Sequence, residues 1–363
     1  MPGAFAGSQS AGVHGGARND RRTLVDLPRT LTTKELMGLG VGPGDIRRRV
    51  RTEQLVRLRR GHYLEVGQQS EVPVAEVDEP GGRRAAVSPQ DPHREHRLGP
   101  GRYVPGLQEI RHLAAVVAAA PELDDGTIFS QLSAGVLHGL PVPTLGLGRV
   151  HLLREGSGAG RRTRTAVHHR ARIPTRDRAR VEGLPCTSLE RTTVDLARTL
   201  PFRDGLAVVD AALARGVSRL SLFSRLTRHP GNRQARRLIE LGDPAPESAG
   251  ESRCRATILL AGLPIPRCQF AVPLEDGNTL FPDFGWPDLG LVGEYDGMTK
   301  YGRLLQPNET LTDVLRRERI RESRLRGQGW WVIRWIASEL GDVDQFRRGF
   351  LAAERAASAY KAA

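Results

Sequence analysis

The chain has 363 residues, 39% of them hydrophobic, and a formal charge of +13 from 54 basic and 41 acidic side chains. No apolar run approaches the roughly 18–20 residues of a membrane helix, so the expectation is a protein without membrane spans. The three cysteines, Cys186, Cys254 and Cys268, are too few and too scattered for a disulfide scaffold or a zinc motif, and they fit a reducing cytoplasm. The length allows two or three domains.

A basic protein invites a nucleic-acid partner. Arginine supplies 51 of the 54 basic residues, the lysines being Lys34, Lys300 and Lys361, a bias that also suits a GC-rich coding background. The distribution of charge is therefore more informative than its sum. Residues 21–64 hold 11 basic and 4 acidic side chains, residues 65–246 hold 26 and 20, and residues 247–363 hold 16 of each.

In chain order, residues 1–27 are small and polar, with no signal-peptide core, and read as a disordered lead. Residues 28–65 contain TLTTKELMGLGVGPGDIRRRVRTEQLVRLRRGHYL. Thr32 or Thr33 caps a short helix, GLGVGPG turns, and a second helix from Asp45 carries Ile46, Val50 and the arginines 47, 48, 49 and 51. LVRLRRGHYL alternates like a strand pair broken at Gly61. Helix, turn, basic helix and basic hairpin form the order of a winged helix-turn-helix. Arg47, Arg48, Arg49 and Arg51 would then lie at a major groove, and Arg57, Arg59 and Arg60 of the wing at phosphates. The competing reading is a small basic subdomain packed on a neighbour.

Residues 66–104, rich in Glu, Pro, Gly, Gln and Arg, read as a flexible linker. Residues 105–245 form a mixed middle domain. LQEIRHLAAVVAAAP and TIFSQLSAGVLHGL have helical patterns, RVHLL and TAVHHR read as strands, and Ser188 opens a helix over LERTTVDLARTL. LAVVDAALARG is a helix closed by Gly216. His138 ends a helix, His168 and His169 face opposite sides of a strand, and Arg191 pairs with Asp195 at i, i+4. No chemistry is assigned to this region.

Residues 246–363 run in the order α-β-β-β-α-β-α. Ser248 and Glu251 make an S-x-x-E capping box, although Glu251 could instead point toward the acids further along the chain. Strands are expected at CQFAV, TLFPDFGW, LVGEYDG and WWVIRW, with a charged helix over TLTDVLRRERIRESRLRGQ before the last. With PDLG (287–290) as the loop, Trp286 pairs with Leu291 and Asp283 is directly opposed to Glu294, with Asp296 on the same face. Opposed like charges destabilise a sheet, and Mg²⁺ held by Asp283 and Glu294 would relieve them and could activate water for phosphodiester cleavage. The alternatives are a strand neutralised by Arg317, Arg321 and Arg324 of the next helix, or a loop displaced by one residue. Asp288 is a turn former. Lys300, a rare lysine, could steady a nucleophilic water or a phosphate.

The pattern PDF…EYDG…K, after S-x-x-E-S-x-x-R and before R-x-x-x-L-x-x-x-G-W-x-V-x-R, resembles the PD-(D/E)XK nucleases, and within them the Vsr-like branch common in actinobacteria. The resemblance covers residues 247–345. It implies Asp283 and Glu294 as Mg²⁺ ligands and Glu251 as a helper from the helix. Asp296 stands where the usual motif has lysine, and Lys300 takes the later basic position. TLTTKELMGLG…IRRRVRTEQLVRLRRGHYL, SAGVLHGLPVP and EGLPCTSLERTTVDLAR resemble AbiEi-type antitoxins over residues 28–245. That resemblance implies an operator-binding winged helix, autorepression and a cognate toxin as partner.

The expected fold is therefore an α+β or α/β multidomain protein: N-terminal winged helix, mixed middle domain and C-terminal restriction-endonuclease-like αβββαβ domain. Two functions are expected in competition. One is a DNA-binding, Mg²⁺-dependent endonuclease with Asp283, Glu294, Asp296, Lys300 and Glu251 at its centre. The other is an antitoxin-like transcriptional repressor whose nuclease-like region is not catalytic. An RNA target is compatible with the same charges.

Overall fold

A computed structural model describes residues 28–52, 54–65, 106–296 and 311–362. The expected lead (1–27), the whole of the expected linker (66–104) and Lys300 lie outside the described residues. The described part is a mixed α and β structure with several separate sheets.

The first sheet is antiparallel, with the order β1 (Thr30–Thr32), β3 (His62–Glu65), β2 (Leu55–Arg59). Between β1 and β2 run α1 (Thr33–Gly38) and α2 (Pro43–Arg51). Thr32 caps α1 in a full capping box with Glu35, which satisfies orphan backbone donors at both ends of the motif. α2 starts two residues earlier than expected, because Pro43 supplies a preset φ at its first position. Leu31, Leu36, Val41, Ile46, Leu55 and Tyr63 close a small core around these elements. Gly61, at φ +78°, makes the tight turn between β2 and β3.

α3 (Leu107–Ala119) rests on this sheet and also on α4 (Gln131–Leu137) and β5 (Val150–Arg154) of the next region. That region is built on a six-stranded mixed sheet, in the order β6 (Arg161–Arg162), β7 (Ala166–Arg170), β5, β4 (Ile128–Phe129), β9 (Leu184–Thr187), β8 (Arg178–Val181). The single helix expected over TIFSQLSAGVLHGL needs correction. Ile128–Phe129 joins the sheet between β5 and β9, and only α4 is helical. Backbone pairing in the sheet centre outweighs the local helical period here. Helices α5 (Leu189–Thr199), α6 (Phe202–Ala214), α7 (Arg219–Phe223) and α8 (Asn232–Leu241) complete this region. Ser188 caps α5 as expected, accepting from Arg191 N.

α9 (Ala249–Leu260) ties the helices of this middle region to the C-terminal sheet. Ala256 is buried among Val194, Leu206, Val209 and Leu238 of α5, α6 and α8, whereas Cys254 and Ile258 belong to the C-terminal core with Phe284, Trp286 and Trp335. A buried ion pair, Arg255 to both carboxylate oxygens of Asp210 at 2.7 and 2.8 Å, fixes α9 on α6.

The C-terminal mixed sheet has the order β10 (Arg267–Cys268), β13 (Phe284–Trp286), β14 (Leu291–Asp296), β15 (Trp331–Ile336). The first two expected strands are both broken. CQFAV divides between β10 and β11 (Val272–Pro273), and TLFPDFGW between β12 (Thr279–Leu280) and β13, since Pro282 lacks a ladder donor. β11 and β12 pair as a separate ribbon. β14 and β15 are parallel, joined by a crossover that includes α10 (Leu311–Gly327), and α11 (Val343–Ala362) covers the other face. No described helix is long and apolar enough to cross a membrane.

Candidate nucleic-acid interface and acidic hairpin

On α2, Ile46 and the half-buried Val50, four residues apart, turn toward the core. At 100° per residue this sends Arg47, Arg48 and Arg51 outward, and all three are exposed. Arg49 is half-buried and reaches Glu65 of β3 at 3.9 Å. Arg48 pairs with Asp45 at 2.8 Å, a solvent-screened contact within one turn that a phosphate could displace at little cost. In the hairpin, Arg57 and Arg60 are exposed, and the backbone of Arg59 belongs to β2. The structure thus gathers Arg47, Arg48, Arg51, Arg57 and Arg60 as solvent-facing cations on one helix and the hairpin after it. Arg49 is committed in part to an acid.

The acidic hairpin keeps the expected register for Trp286 with Leu291, Gly285 with Val292 and Phe284 with Gly293. The ladder stops one pair short of Asp283 and Glu294. Asp283 leaves the strand, and its Oδ2 accepts the backbone N–H of Tyr295 at 2.8 Å. Its Oδ1 is 3.5 Å from the side-chain amide of Gln269, which also donates to Glu251 Oε2 at 3.0 Å. Glu251 does not complete the expected capping box. Ser248 caps α9, but the Glu251 carboxylate accepts from Glu247 N, one residue before the cap.

Glu294 is 6% exposed and lies opposite Arg334 in the parallel register of β14 and β15. Its Oε1 accepts from Arg321 Nε at 2.9 Å, and its Oε2 lies 3.0 Å from Arg334 Nη2. Arg334 also reaches Asp296 at 3.3 Å, Glu318 at 2.9 Å and Glu322 at 3.6 Å. Burial pulls the Arg334 pKa down, but Glu294 and Asp296 outweigh it and the net shift is upward. Burying a carboxylate is tolerable when its oxygens are paired in this way.

These residues do not fit a Mg²⁺ ion between Asp283 and Glu294. Each Glu294 oxygen already faces a guanidinium, and the Asp283 oxygens face a backbone N–H and an amide. A hard cation needs oxygen lone pairs directed at it. Among the described residues, no group of three or more His, Cys, Asp or Glu side chains is arranged to hold a metal ion. The reading of a strand neutralised by the next helix is met at Arg321, and Arg334 of β15 supplies the second guanidinium.

Two family descriptions match this chain. "Transcriptional regulator, AbiEi antitoxin" covers residues 22–66, and "AbiEi antitoxin C-terminal domain" covers residues 132–243. The uncharacterized proteins MT2308 and Rv2248 from two strains of Mycobacterium tuberculosis are each 30% identical over 197 residues, 53% of this chain and 68% of theirs. Residues 22–66 and 132–243 are AbiEi antitoxin domains.

The crystal structure of the Rv2827c protein from Mycobacterium tuberculosis aligns at 18% identity, over 68% of this chain and 84% of that one, with a TM-score of 0.32. The regulator match contains β1, α1, α2, β2 and β3 with all the arginines of α2 and its hairpin. The antitoxin match spans α4 to α8 and ends before the acidic hairpin.

Sequence reasoning missed how this AbiEi domain uses its buried polar groups. His138 caps the end of α4, as expected, but its Nε2–H donates to Thr187 O of β9 at 2.7 Å, joining helix to sheet. His112 donates from Nδ1 to Leu147 O at 2.7 Å and accepts from Ser133 at Nε2. Burial pushes the pKa of both rings down, so both are neutral. His169 Nε2 lies 3.1 Å from His151 Nδ1 of β5, with the rings stacked. Arg191 pairs with Asp195 at 2.7 Å, as expected, inside a larger cluster of Asp177, Arg198 and Arg225. Only the pairs within α5, Arg191–Asp195 at i, i+4 and Asp195–Arg198 at i, i+3, have a local signal in the sequence.

Proposed function

We propose that this chain is a DNA-binding transcriptional regulator of the AbiEi antitoxin type. Residues 28–65 would act as a winged helix, with α2 in a major groove and the β2–β3 hairpin against the backbone. Residues 105–245 would form the antitoxin-type domain, with a cognate toxin as partner, and residues 246–363 a nuclease-like domain used for contacts. The observation that carries the reading is the outward set Arg47, Arg48 and Arg51 on α2, beside exposed Arg57 and Arg60 of the hairpin. Guanidinium groups on adjacent turns of one exposed face suit phosphate and guanine recognition better than they suit packing.

A hydrolytic step through Asp283 and Glu294 has no place in this reading, because the guanidinium contacts of Glu294 oppose it. The test is fluorescence anisotropy with DNA from upstream of the chain's own coding sequence, against a scrambled duplex of equal length. The upstream duplex should bind at least tenfold more tightly, and Arg48→Ala should reduce that preference. Equal affinity for both duplexes would remove the regulator reading.

A further inference from the structure

We infer that the guanidinium of Arg334, with Arg321 beside it, stands where a divalent ion would bridge Glu294 and Asp296, so that Glu294 is a permanently paired structural carboxylate and not a metal ligand. The inference is independent of DNA binding by α2.

Three observations carry it. First, the two Glu294 oxygens meet different guanidinium groups, Arg321 from α10 and Arg334 from β15. Second, Arg334 touches both Glu294 and Asp296, which lie two residues apart on one face of β14. That bridge between acids is the task a bound ion would perform. Third, the other acids are joined in the same manner by a neutral donor. The Gln269 amide sits between Glu251 and Asp283, on a backbone held at φ +49°, a left-handed conformation unusual for glutamine. Nitrogen donors of the chain therefore lie between Glu294 and Asp296 and between Glu251 and Asp283.

A metal entering beside Glu294 would have to displace both guanidinium groups. Arg321 is 9% exposed, and its Nη2 also donates to Phe281 O. Displacement would leave buried positive charge uncompensated, which is strongly unfavourable. Arg321 and Arg334 lie 27 and 40 residues beyond Glu294, so the arrangement fixes α10 and β15 onto β14 without an ion.

The experiment is thermal unfolding of the full chain in EDTA and in millimolar Mg²⁺ or Mn²⁺, with calorimetric titration of the same ions. The wild-type midpoint should be unchanged by either ion. A saturating ligand would instead raise it by several degrees. Arg321→Met/Arg334→Met frees the acids, and its midpoint should rise with Mn²⁺. If that variant does not fold, wild type and Glu294→Gln decide the question by calorimetry. Wild-type binding heat that disappears in Glu294→Gln overturns the inference. No heat, or heat that Glu294→Gln leaves intact, upholds it.

Discussion

Asp210→Asn tests whether the helical region and the C-terminal sheet unfold together. Asp210 and Arg255 are 2% and 3% exposed, joined by two hydrogen bonds, and Asp210 also accepts from Asp243 N at 2.8 Å. Removing one member of a buried pair leaves the other charge without compensation, at a cost of about 3–5 kcal/mol. For a domain of this size that lowers the unfolding midpoint by on the order of 10 °C. All four tryptophans, at 286, 330, 331 and 335, belong to the C-terminal region, whereas Asp210 lies in α6. Tryptophan fluorescence therefore reports on a sheet that the substitution does not touch. Far-ultraviolet circular dichroism reports on the whole chain. Both signals should shift downward together in Asp210→Asn. Replacing the pair by Leu and Met should recover much of the loss, because apolar substitutes avoid the desolvation of either charge. A fluorescence midpoint that stays at the wild-type value would refute the idea that α9 couples the two regions.

The buried histidines predict acid sensitivity. Burial holds His112, His138 and His169 below the ordinary 6.5 and pushes His151 down to about 3. The unfolded chain then binds more protons, so stability is full above pH 6.5 and falls as the pH drops below it. Each such ring adds about 1.4 kcal/mol per pH unit to the slope of a urea-melt series, and His138→Gln should remove one ring's share. A slope of zero between pH 6 and 5 would contradict this assignment. Gly293→Ala places a methyl 2.7 Å from the Trp335 ring and 3.2 Å from that of Trp286 in a closed core. It should cost about 1–3 kcal/mol in denaturant unfolding, and a neutral result would show that the aromatic cluster can yield. Arg57→Ala in the hairpin should weaken all duplexes alike and leave sequence preference unchanged, as expected of a phosphate contact. A changed preference would place it at a base.

What the sequence made legible was local. The Pro287–Gly290 loop fixed the β13–β14 register because turn chemistry and side-chain alternation agree there. Ser188 and Thr32 announced their helices because a cap is a short-range bond. The apolar pair Ile46 and Val50 oriented α2, and with it the arginines. Interactions across long separations were not legible. Arg321 was legible only as one of three candidate neutralisers on the next helix and Arg334 not at all, because neither has a spacing signal with Glu294, so three nearby acids suggested a metal where arginines from α10 and β15 complete the cluster. Arg255 with Asp210, and His138 with Thr187, were missed for the same reason. The helix expected across Ile128 and Phe129 failed because two apolar residues serve either period, and the sheet neighbours decide between them.

The central claim is that α2 presents its arginines to DNA, and counterion release measures this most directly. The logarithm of the binding constant for upstream DNA, plotted against the logarithm of salt concentration, changes by about 0.9 per phosphate contact. Arg47→Ala/Arg48→Ala/Arg51→Ala should reduce that slope by about 2–3, with the fold intact by circular dichroism. A folded triple variant that keeps the wild-type slope and affinity would contradict the account.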